Sequence, residues 1–164
     1  ASVLGDPAKG FHYLTHFLAE ERRIGSVQYT TGAQLAWDLT LDWVKERRMF
    51  GKPLGAFQNT RFKLAELRAQ IDAAQVFVDT LVAEHLRGKL SADLAAEAKL
   101  LTSELEFRTA DECLQVFGGA GYMEEYRISR CFTDARVSRI YAGTSEVMKE
   151  IISRGFGLDD RKLT

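Results

Sequence analysis

The sequence is poor in the residues that mark linkers and disulfide scaffolds. It has only two prolines and two cysteines among 164 residues, so we expect no Pro-rich linker. Cys113 and Cys131 are too few for a disulfide framework and lack zinc-ligand spacing, which fits a reducing compartment. No apolar run approaches the roughly 18 residues that a membrane span requires, and the N-terminus lacks a signal-peptide core.

An excess of one charge is also absent. The 22 basic and 23 acidic residues leave a formal net charge of −1, which gives no reason to expect a nucleic-acid or membrane partner. His12, His16 and His85 share no spacing with carboxylates, so we predict no metal site. What remains is a chain with 46% apolar residues, enough for one domain that buries roughly two-thirds of its unfolded surface.

Helical periodicity dominates the middle of the chain. Between residues 56 and 87 the apolar positions recur at spacings of three and four. They are Leu64, Leu67, Ile71, Ala74, Val78 and Leu81. This pattern predicts one long amphipathic helix of roughly 45 Å, and Gly88 is a suitable stop signal after it.

Three further helices are predicted around it. A first helix over residues 20–48 ends at the Gly- and Pro-containing segment 51–55, because proline cannot continue the helical ladder. Ser91 is the expected N-cap of a helix over residues 92–116, and a last helix covers residues 144–155. The candidate core positions in these helices are Ile24, Val27, Leu35, Leu39, Val44, Leu94, Ala98, Leu101, Leu105, Val147, Ile151 and Ile152. Strand patterning is nearly absent, which predicts an all-α, four-helix up-and-down bundle.

The ends of the chain differ from the bundle. Residues 1–16 carry turn-type residues such as Asp6 and Pro7 without a sustained apolar period, which is typical of a connecting segment. We therefore divide the chain into this segment, a helical domain over residues 17–157 and a C-terminal tail over residues 158–164.

A glycine cluster interrupts the helical pattern at residues 118–121. It follows a helix instead of preceding one, so it is a poor phosphate cradle by strand–loop–helix logic. It predicts either a tight turn or a close approach of the backbone to something flat. Basic groups at 47–52 and 127–139 fit either solvated faces or pyrophosphate recognition, and composition does not decide between the two.

Three motifs in order resemble the acyl-CoA dehydrogenase family. The first is Arg47-Arg48-Met49-Phe50-Gly51-Lys52-Pro53-Leu54 with Phe57-Gln58. The second is Gln115-Val116-Phe117-Gly118-Gly119-Ala120-Gly121-Tyr122. The third is Asp134-Ala135-Arg136 followed by Ile140-Tyr141-Ala142-Gly143-Thr144-Ser145-Glu146. The match is to that family's C-terminal helical domain, and residues 3–11 resemble the end of its middle β-domain, so the chain is expected to be a fragment.

The resemblance implies a flavoenzyme that oxidises an acyl-CoA thioester to the trans-2-enoyl-CoA in fatty-acid or branched-chain acyl catabolism. A carboxylate removes the α-proton while the β-hydrogen leaves as hydride to FAD. The resemblance also implies a homodimer or homotetramer that passes electrons to an electron-transfer flavoprotein. The FAD-binding residues carried over are Arg47, Phe50, Gln58, Gln115, Gly118, Gly119, Thr144 and Glu146.

The sequence departs from the commonest family pattern at the catalytic base. Ala142 stands where many members carry the glutamate, and alanine cannot accept a proton. In the long-chain and isovaleryl-CoA branches the glutamate lies on the first long helix, directly before an arginine. That position falls on Glu21 with Arg22, while Glu20 or no base at all are the alternatives. Arg22 and Gly143 are the expected substrate-binding residues.

Two other functions remain open from the sequence. One is an acyl-CoA oxidase, in which oxygen reoxidises the flavin, although such enzymes usually extend further at the C-terminus. The other is a non-catalytic helical oligomerisation module. For the dehydrogenase we expect the cytoplasm in a bacterium or the mitochondrial matrix in a eukaryote, and the sequence does not indicate the acyl chain length.

Overall fold

A computed structural model describes residues 3–159 of the chain. The described part is mainly helical, with one two-stranded antiparallel hairpin between the first two long helices. The helices are α1 (Gly10–His16), α2 (Leu18–Glu46), α3 (Gln58–Leu86), α4 (Ala92–Phe117), α5 (Arg127–Ser138) and α6 (Ser145–Gly155). The strands are β1 (Arg48–Met49) and β2 (Lys52–Pro53), and 3₁₀ turns cover Pro7–Lys9, Leu54–Ala56 and Gly118–Tyr122.

The long helices begin and end where the sequence predicts, within about two residues. Ser91 caps α4 by accepting a hydrogen bond from the Leu94 amide at 3.1 Å. Gly88, with φ of 69°, follows the end of α3. Between α2 and α3 the chain reverses through the hairpin, and the Trp37 indole donates a 2.8 Å hydrogen bond to the Leu64 carbonyl across the two helices. The predicted all-α up-and-down bundle is confirmed.

The fourth position of the bundle is filled by two helices in succession. α5 and α6 both pack against α4, and the loop over residues 139–144 separates them. The sequence analysis predicted only the second of these helices. It missed α5 because this helix carries four charged residues among its twelve and buries only Ile128, Ala135 and Ser138, so that its apolar stripe is narrow. Because the fourth position is divided between α5 and α6, the loop over residues 139–144 lies against the side of the bundle.

The core agrees with the predicted stripe of α3 and differs from that of α2. All six predicted positions of α3 are buried. In α2, Ile24 is 54% exposed, and in α4 Leu101 is 47% exposed. Val27 is also exposed, whereas Leu35, Leu39 and Leu94 are half-buried.

The buried face of α2 consists mainly of small residues and of polar residues instead. It consists of Arg22, Gly25, Ser26, Tyr29, Thr30, Ala33, Ala36, Thr40 and Val44. The hydroxyls of Ser26, Thr30 and Thr40 each donate to the carbonyl four residues earlier. Satisfied in this way, they can be buried at little cost, and small side chains allow α4 to approach closely. A prediction from apolar residues alone therefore selects the wrong face of α2 as the buried one.

The N-terminal segment is more ordered than the sequence indicates. Asp6 caps a 3₁₀ turn by accepting from the Ala8 amide, and α1 follows it. The assignment of residues 1–16 to a connecting segment stays a prediction, as does the tail over residues 158–164, of which residues 160–164 lie outside the described part. No helix within residues 3–159 is long and apolar enough to cross a membrane.

Candidate functional site

The loop between α5 and α6 has an unusual backbone. Ala142 has φ of 55° and Gly143 has φ of 104°. A positive φ is uncommon for alanine and marks local strain that the surroundings must maintain. Thr144 then caps α6 by accepting from the Val147 amide at 3.4 Å.

Two buried cations hold this loop from inside the bundle. Arg22 of α2 is 6% exposed, and its Nε donates to the Ala142 carbonyl at 3.2 Å. Lys99 of α4 is 0% exposed, and its Nζ donates to the Gly143 carbonyl at 2.7 Å. The sequence analysis singled out Arg22 and Gly143, and the structure brings them together.

A side chain at position 143 would be crowded by its neighbours in addition to the strain of the backbone angle. A Cβ at this position would lie 2.6 Å from the Met148 Cε and 3.6 Å from an Arg22 guanidinium nitrogen. Because Met148 is fully buried, it has little room to move away. The loop is therefore close-packed on its inner side.

Glu104 of α4 binds the residues at both ends of the loop. Its Oε1 accepts from the Ser145 hydroxyl at 2.6 Å and from the Arg139 Nε at 2.9 Å. Burial alone would raise the pKa of Glu104, but these two hydrogen bonds hold the pKa below its usual value. The carboxylate thus stays charged and ties the end of α5 to the start of α6.

Glu21 lies at the start of α2 beside this loop. Its side chain is exposed and adjacent in sequence to Arg22, which contacts Ala142. Two helical turns further on, Tyr29 leans back over Gly25, where an added Cβ would lie 2.8 Å from the tyrosine hydroxyl. Burial, the hydroxyl of Tyr141 and the charge of Glu21 all raise the pKa of Tyr29.

Glu20 has a different environment from Glu21. Its Oε1 lies 3.7 Å from an Arg23 guanidinium nitrogen and 4.0 Å from the His85 Nε2. It therefore faces α3 and its own helix. Of the two carboxylates considered for the base, Glu21 is the one without an ion pair to a side chain within 4 Å in residues 3–159.

A groove of about 640 Å³ opens at the opposite end of α2. Trp43 and Phe117 stack there with ring centroids 4.6 Å apart and planes 10° apart, and Tyr126 meets the Trp43 ring edge-on at 5.6 Å. Four of the predicted cofactor residues line this groove: Arg47, Gln115, Gly118 and Gly119.

The groove has the features of a site for a flat, anionic ligand. A Cβ added at Gly118 or Gly119 would meet no atom within 4 Å, so a ligand has room to approach the backbone there. The Trp43 Nε1 is buried and has no hydrogen-bond partner within the described residues. The Arg47 guanidinium lies 5.8 Å from the Trp43 ring centre and offers a fork of donors suited to phosphate. These residues fit the adenosine diphosphate part of a dinucleotide.

Phe50 and Gln58 do not line the groove. Phe50 and Gly51 form the hairpin turn, with φ of 48° and 80°. The Phe50 side chain is 89% exposed, although a left-handed backbone is uncommon for a bulky residue. Gln58 begins α3 and is also exposed. Both side chains project outward beside the groove.

Thr144 and Glu146 lie with the loop and not with the groove. Glu146 is exposed in the first turn of α6, where hydrogen bonds from its own amide and from the Thr144 hydroxyl lower its pKa. Arg22 and Arg47 are 25 positions apart along and just past α2, which corresponds to about 37 Å at 1.5 Å per residue. The predicted site residues thus form two separate sets.

The sequence analysis missed several residues of these two sets. Lys99 follows three alanines on the buried face of α4, and a lysine in such a stripe is the signal that would have indicated it. For Trp43 and Tyr126 the sequence offers no signal of a binding site except that both residues are aromatic. Arg136 of α5 and Arg139, which directly follows this helix, do not line the groove. Arg139 pairs with Glu104, and Arg136 lies over Phe107.

Comparisons with known proteins identify the family. Residues 8–157 match the family model of the acyl-CoA dehydrogenase C-terminal domain. The mitochondrial long-chain specific acyl-CoA dehydrogenase of Sus scrofa is 40% identical over 154 residues, which are 94% of this chain and 36% of that protein.

Solved structures agree with this match. An acyl-CoA dehydrogenase from Geobacillus kaustophilus superposes with a TM-score of 0.90 and 42% identity, over 94% of this chain and 41% of that one. The butyryl-CoA dehydrogenase from Megasphaera elsdenii gives a TM-score of 0.87 and 36% identity, over 93% and 40%. The chain spans about two-fifths of the relatives that it matches. The chain belongs to the acyl-CoA dehydrogenase family, and residues 8–157 form the C-terminal domain of that family.

Proposed function

We propose that the protein of which this chain is part is an FAD-dependent acyl-CoA dehydrogenase with Glu21 as its catalytic base. One observation carries the proposal: Arg22, next to Glu21, binds the carbonyl of Ala142 at 3.2 Å. The start of α2 and the position that lacks a carboxylate therefore lie on adjoining segments of backbone. A glutamate at position 21 can therefore reach the same substrate α-carbon as a glutamate at position 142 would.

In this proposal the loop and Glu21 meet the acyl thioester. Glu21 removes the proton from the substrate α-carbon, and bound FAD supplies the acceptor for the hydride from the β-carbon. Arg22 and Gly143 set the shape of the substrate side by fixing the loop backbone. Thr144 and Glu146, at the start of α6, are placed beside the cofactor.

Two subunits are needed to complete one cofactor site. A single FAD molecule is shorter than the roughly 37 Å between the loop and the groove, so one chain does not offer both sets to the same cofactor. We assign Arg47, Gln115, Gly118 and Gly119 to the diphosphate and adenosine of an FAD held by a neighbouring subunit. Phe50 and Gln58 project beside that groove and contact the same cofactor. The active form is accordingly a homodimer or homotetramer.

The wider assignments follow the family. We propose an electron-transfer flavoprotein as the electron acceptor, and a host-dependent location, in the cytoplasm of a bacterium or the matrix of a mitochondrion. Residues 1–16 would enter the domain from a preceding β-domain. The relatives include long-chain and butyryl-CoA enzymes.

Anaerobic titration of the full-length protein tests the proposal. The purified protein should carry flavin absorbance that bleaches on addition of one member of a panel of straight and branched acyl-CoA thioesters. The colour should return slowly in air and rapidly with an electron-transfer flavoprotein. Rapid return in air would indicate an oxidase, and absence of bleaching with every thioester would indicate a non-catalytic module.

A further inference from the structure

The loop between α5 and α6 is held by two cations at successive peptide units. Arg22 comes from α2 and Lys99 from α4, and they donate to the carbonyls of Ala142 and Gly143. The two helices thus fix adjacent peptide units of a loop in which the left-handed backbone angle of Ala142 is unfavourable on its own. Glu104 fastens the residues on either side.

This arrangement determines where the loop amides point. A trans peptide is planar, and its N–H points opposite to its carbonyl. No cis peptide occurs in the described residues. Because the carbonyls of 142 and 143 point inward to the cations, the amides of Gly143 and Thr144 point away from the bundle. Successive outward amides on a left-handed backbone are hydrogen-bond donors for an oxygen-bearing ligand.

Keeping a charge on the buried side chain of Lys99 costs free energy. The side chain is fully buried, and within residues 3–159 no carboxylate is within 4 Å of its Nζ. Burial and the neighbouring guanidinium of Arg22 lower the pKa of Lys99, and the carboxylates of Glu104 and Glu146 offset this only in part. An apolar side chain of the same length would fill the space without this cost. The ammonium therefore has a use beyond packing, and its single hydrogen bond in the described structure is to Gly143.

We propose that Lys99 is a positioning residue for the reaction: its ammonium holds the Gly143 carbonyl inward, which keeps the loop amides turned toward the acyl thioester and the cofactor. It acts through the backbone of the loop and touches neither ligand. That the loop faces an acyl thioester and a flavin rests on the function proposed above. That Lys99 fixes the loop does not depend on that function.

The test uses the full-length protein with Lys99→Met, which keeps the length and removes the donor, and Lys99→Gln, which keeps a neutral donor. Lys89→Met is the matched control, because Lys89 is exposed in the turn between α3 and α4. Hydrogen exchange is measured in the flavin-free protein for a peptide over residues 139–148 and for one over residues 64–81 in α3. Flavin reduction by acyl-CoA is measured in the flavin-loaded protein.

We expect Lys99→Met to speed exchange in the loop peptide by about tenfold or more and to slow flavin reduction by roughly 10–100-fold, the range for losing a charge-assisted hydrogen bond. The α3 peptide should exchange at the parent rate, Lys99→Gln should be intermediate, and Lys89→Met should match the parent. If Lys99→Met does not fold, Lys99→Gln is judged by the same criteria.

Two results would overturn the proposal. Parent-like exchange in the loop peptide of Lys99→Met would show that Lys99 does not hold the loop. Equal acceleration in the loop and α3 peptides would show that Lys99 only stabilises the bundle. A parent protein that reduces no flavin, while Lys99→Met still loosens the loop alone, would refute the dehydrogenase assignment and leave the role of Lys99 in place.

Discussion

Two neighbouring glutamates on α2 differ in what surrounds them, and this difference favours one of them as the proposed base. Glu20 lies near Arg23 and His85, whereas Glu21 is exposed next to the residue that contacts Ala142. A carboxylate that lies against an arginine and a histidine of the bundle is less available to a substrate. A carboxylate at an open position can meet the acyl chain of a bound substrate.

Glu21→Gln tests this assignment with Glu20→Gln as its matched control. Glutamine keeps the shape but accepts no proton, so flavin reduction by acyl-CoA should slow by at least about 10²–10⁴-fold. Glu20→Gln should reduce flavin near the parent rate, and both variants should retain FAD. The measurement is anaerobic stopped-flow absorbance of the full-length protein. A reversed order of the two rates would move the base to Glu20.

Combining Glu21→Ala with Ala142→Glu extends the same experiment. It should recover part of the lost rate if positions 21 and 142 both face the substrate α-carbon. Recovery should be incomplete, because a base misplaced by about 1 Å costs roughly 10²-fold. The left-handed backbone at 142 adds strain of about 1–2 kcal/mol for any residue with a Cβ, but alanine already bears that strain.

Arg47→Ala tests the groove, with Arg61→Ala as its control. Arg47 lines the groove beside Trp43, whereas Arg61 is an exposed residue of α3 outside it. Loss of a charge-assisted contact to diphosphate should weaken FAD binding by about 1.5–3 kcal/mol. Retention of flavin through gel filtration and a fluorescence titration provide the measurement. Unchanged affinity would leave Arg47 as a solvated residue at the end of α2.

At the scale of elements, α4 organises both ends of the bundle. It packs against α2, α3, α5 and α6, carries Lys99 and Glu104 to the loop, and ends at Gln115 and Phe117 in the groove. It also carries Glu106, whose Oε2 is buried without a hydrogen-bond partner among the described residues. Burial raises the pKa of Glu106 to about 7.

This acid makes the packing of α4 sensitive to pH. The unfolded carboxyl has a pKa near 4.5 and the folded one near 7, so between these values the folded protein holds a proton that the unfolded chain has released. The contribution of Glu106 to the free energy of unfolding is complete below about pH 4.5 and is lost as pH rises through about 7.

Thermal unfolding of the full-length protein from about pH 5 to pH 8 checks this expectation. The Tm of the parent should fall with rising pH by more than the Tm of Glu106→Gln, in which this proton is absent. Glu125→Gln, a change at an exposed turn position, should follow the parent. Parallel curves for the parent and Glu106→Gln would show that Glu106 titrates normally.

At the scale of the whole molecule, the two sets of site residues are separated by the length of α2. The chain covers 36% of the long-chain enzyme of Sus scrofa and 41% of the Geobacillus kaustophilus structure. The 164-residue chain on its own should therefore be helical but should not retain stoichiometric FAD, since the missing contacts should weaken binding by several kcal/mol. Absorbance at the flavin bands after purification measures this. A stoichiometrically yellow fragment would contradict it.

Self-association is a separate expectation at this scale. Large apolar side chains remain exposed on the long helices, among them Ile24, Phe62, Val76 and Leu101. Apolar surface of this kind is typical of faces between subunits. The fragment should form dimers or tetramers in light scattering at high concentration. A monomer under those conditions would count against an interface on these helices.

The sequence alone determined the elements whose signals are local. The stripe of α3, the Ser91 cap and the break at 51–55 depend on side chains within one or two turns, so they could be predicted. The motifs likewise indicated Glu21, Arg47 and the glycines. The narrow stripe of α5 and the small, polar face of α2 could not be found in this way, because apolarity does not reveal which surface a neighbouring helix will cover.

Only the tertiary structure decided how these residues are distributed. Arg22 and Ala142 are 120 positions apart and Lys99 and Gly143 are 44 apart, so their pairing depends on the parallel packing of α2 and α4. The same packing divides residues that looked like one site into a loop at one end and a groove at the other. A buried lysine on a backbone carbonyl leaves no spacing pattern in a sequence, because its partner is chosen by the fold and not by its neighbours along the chain.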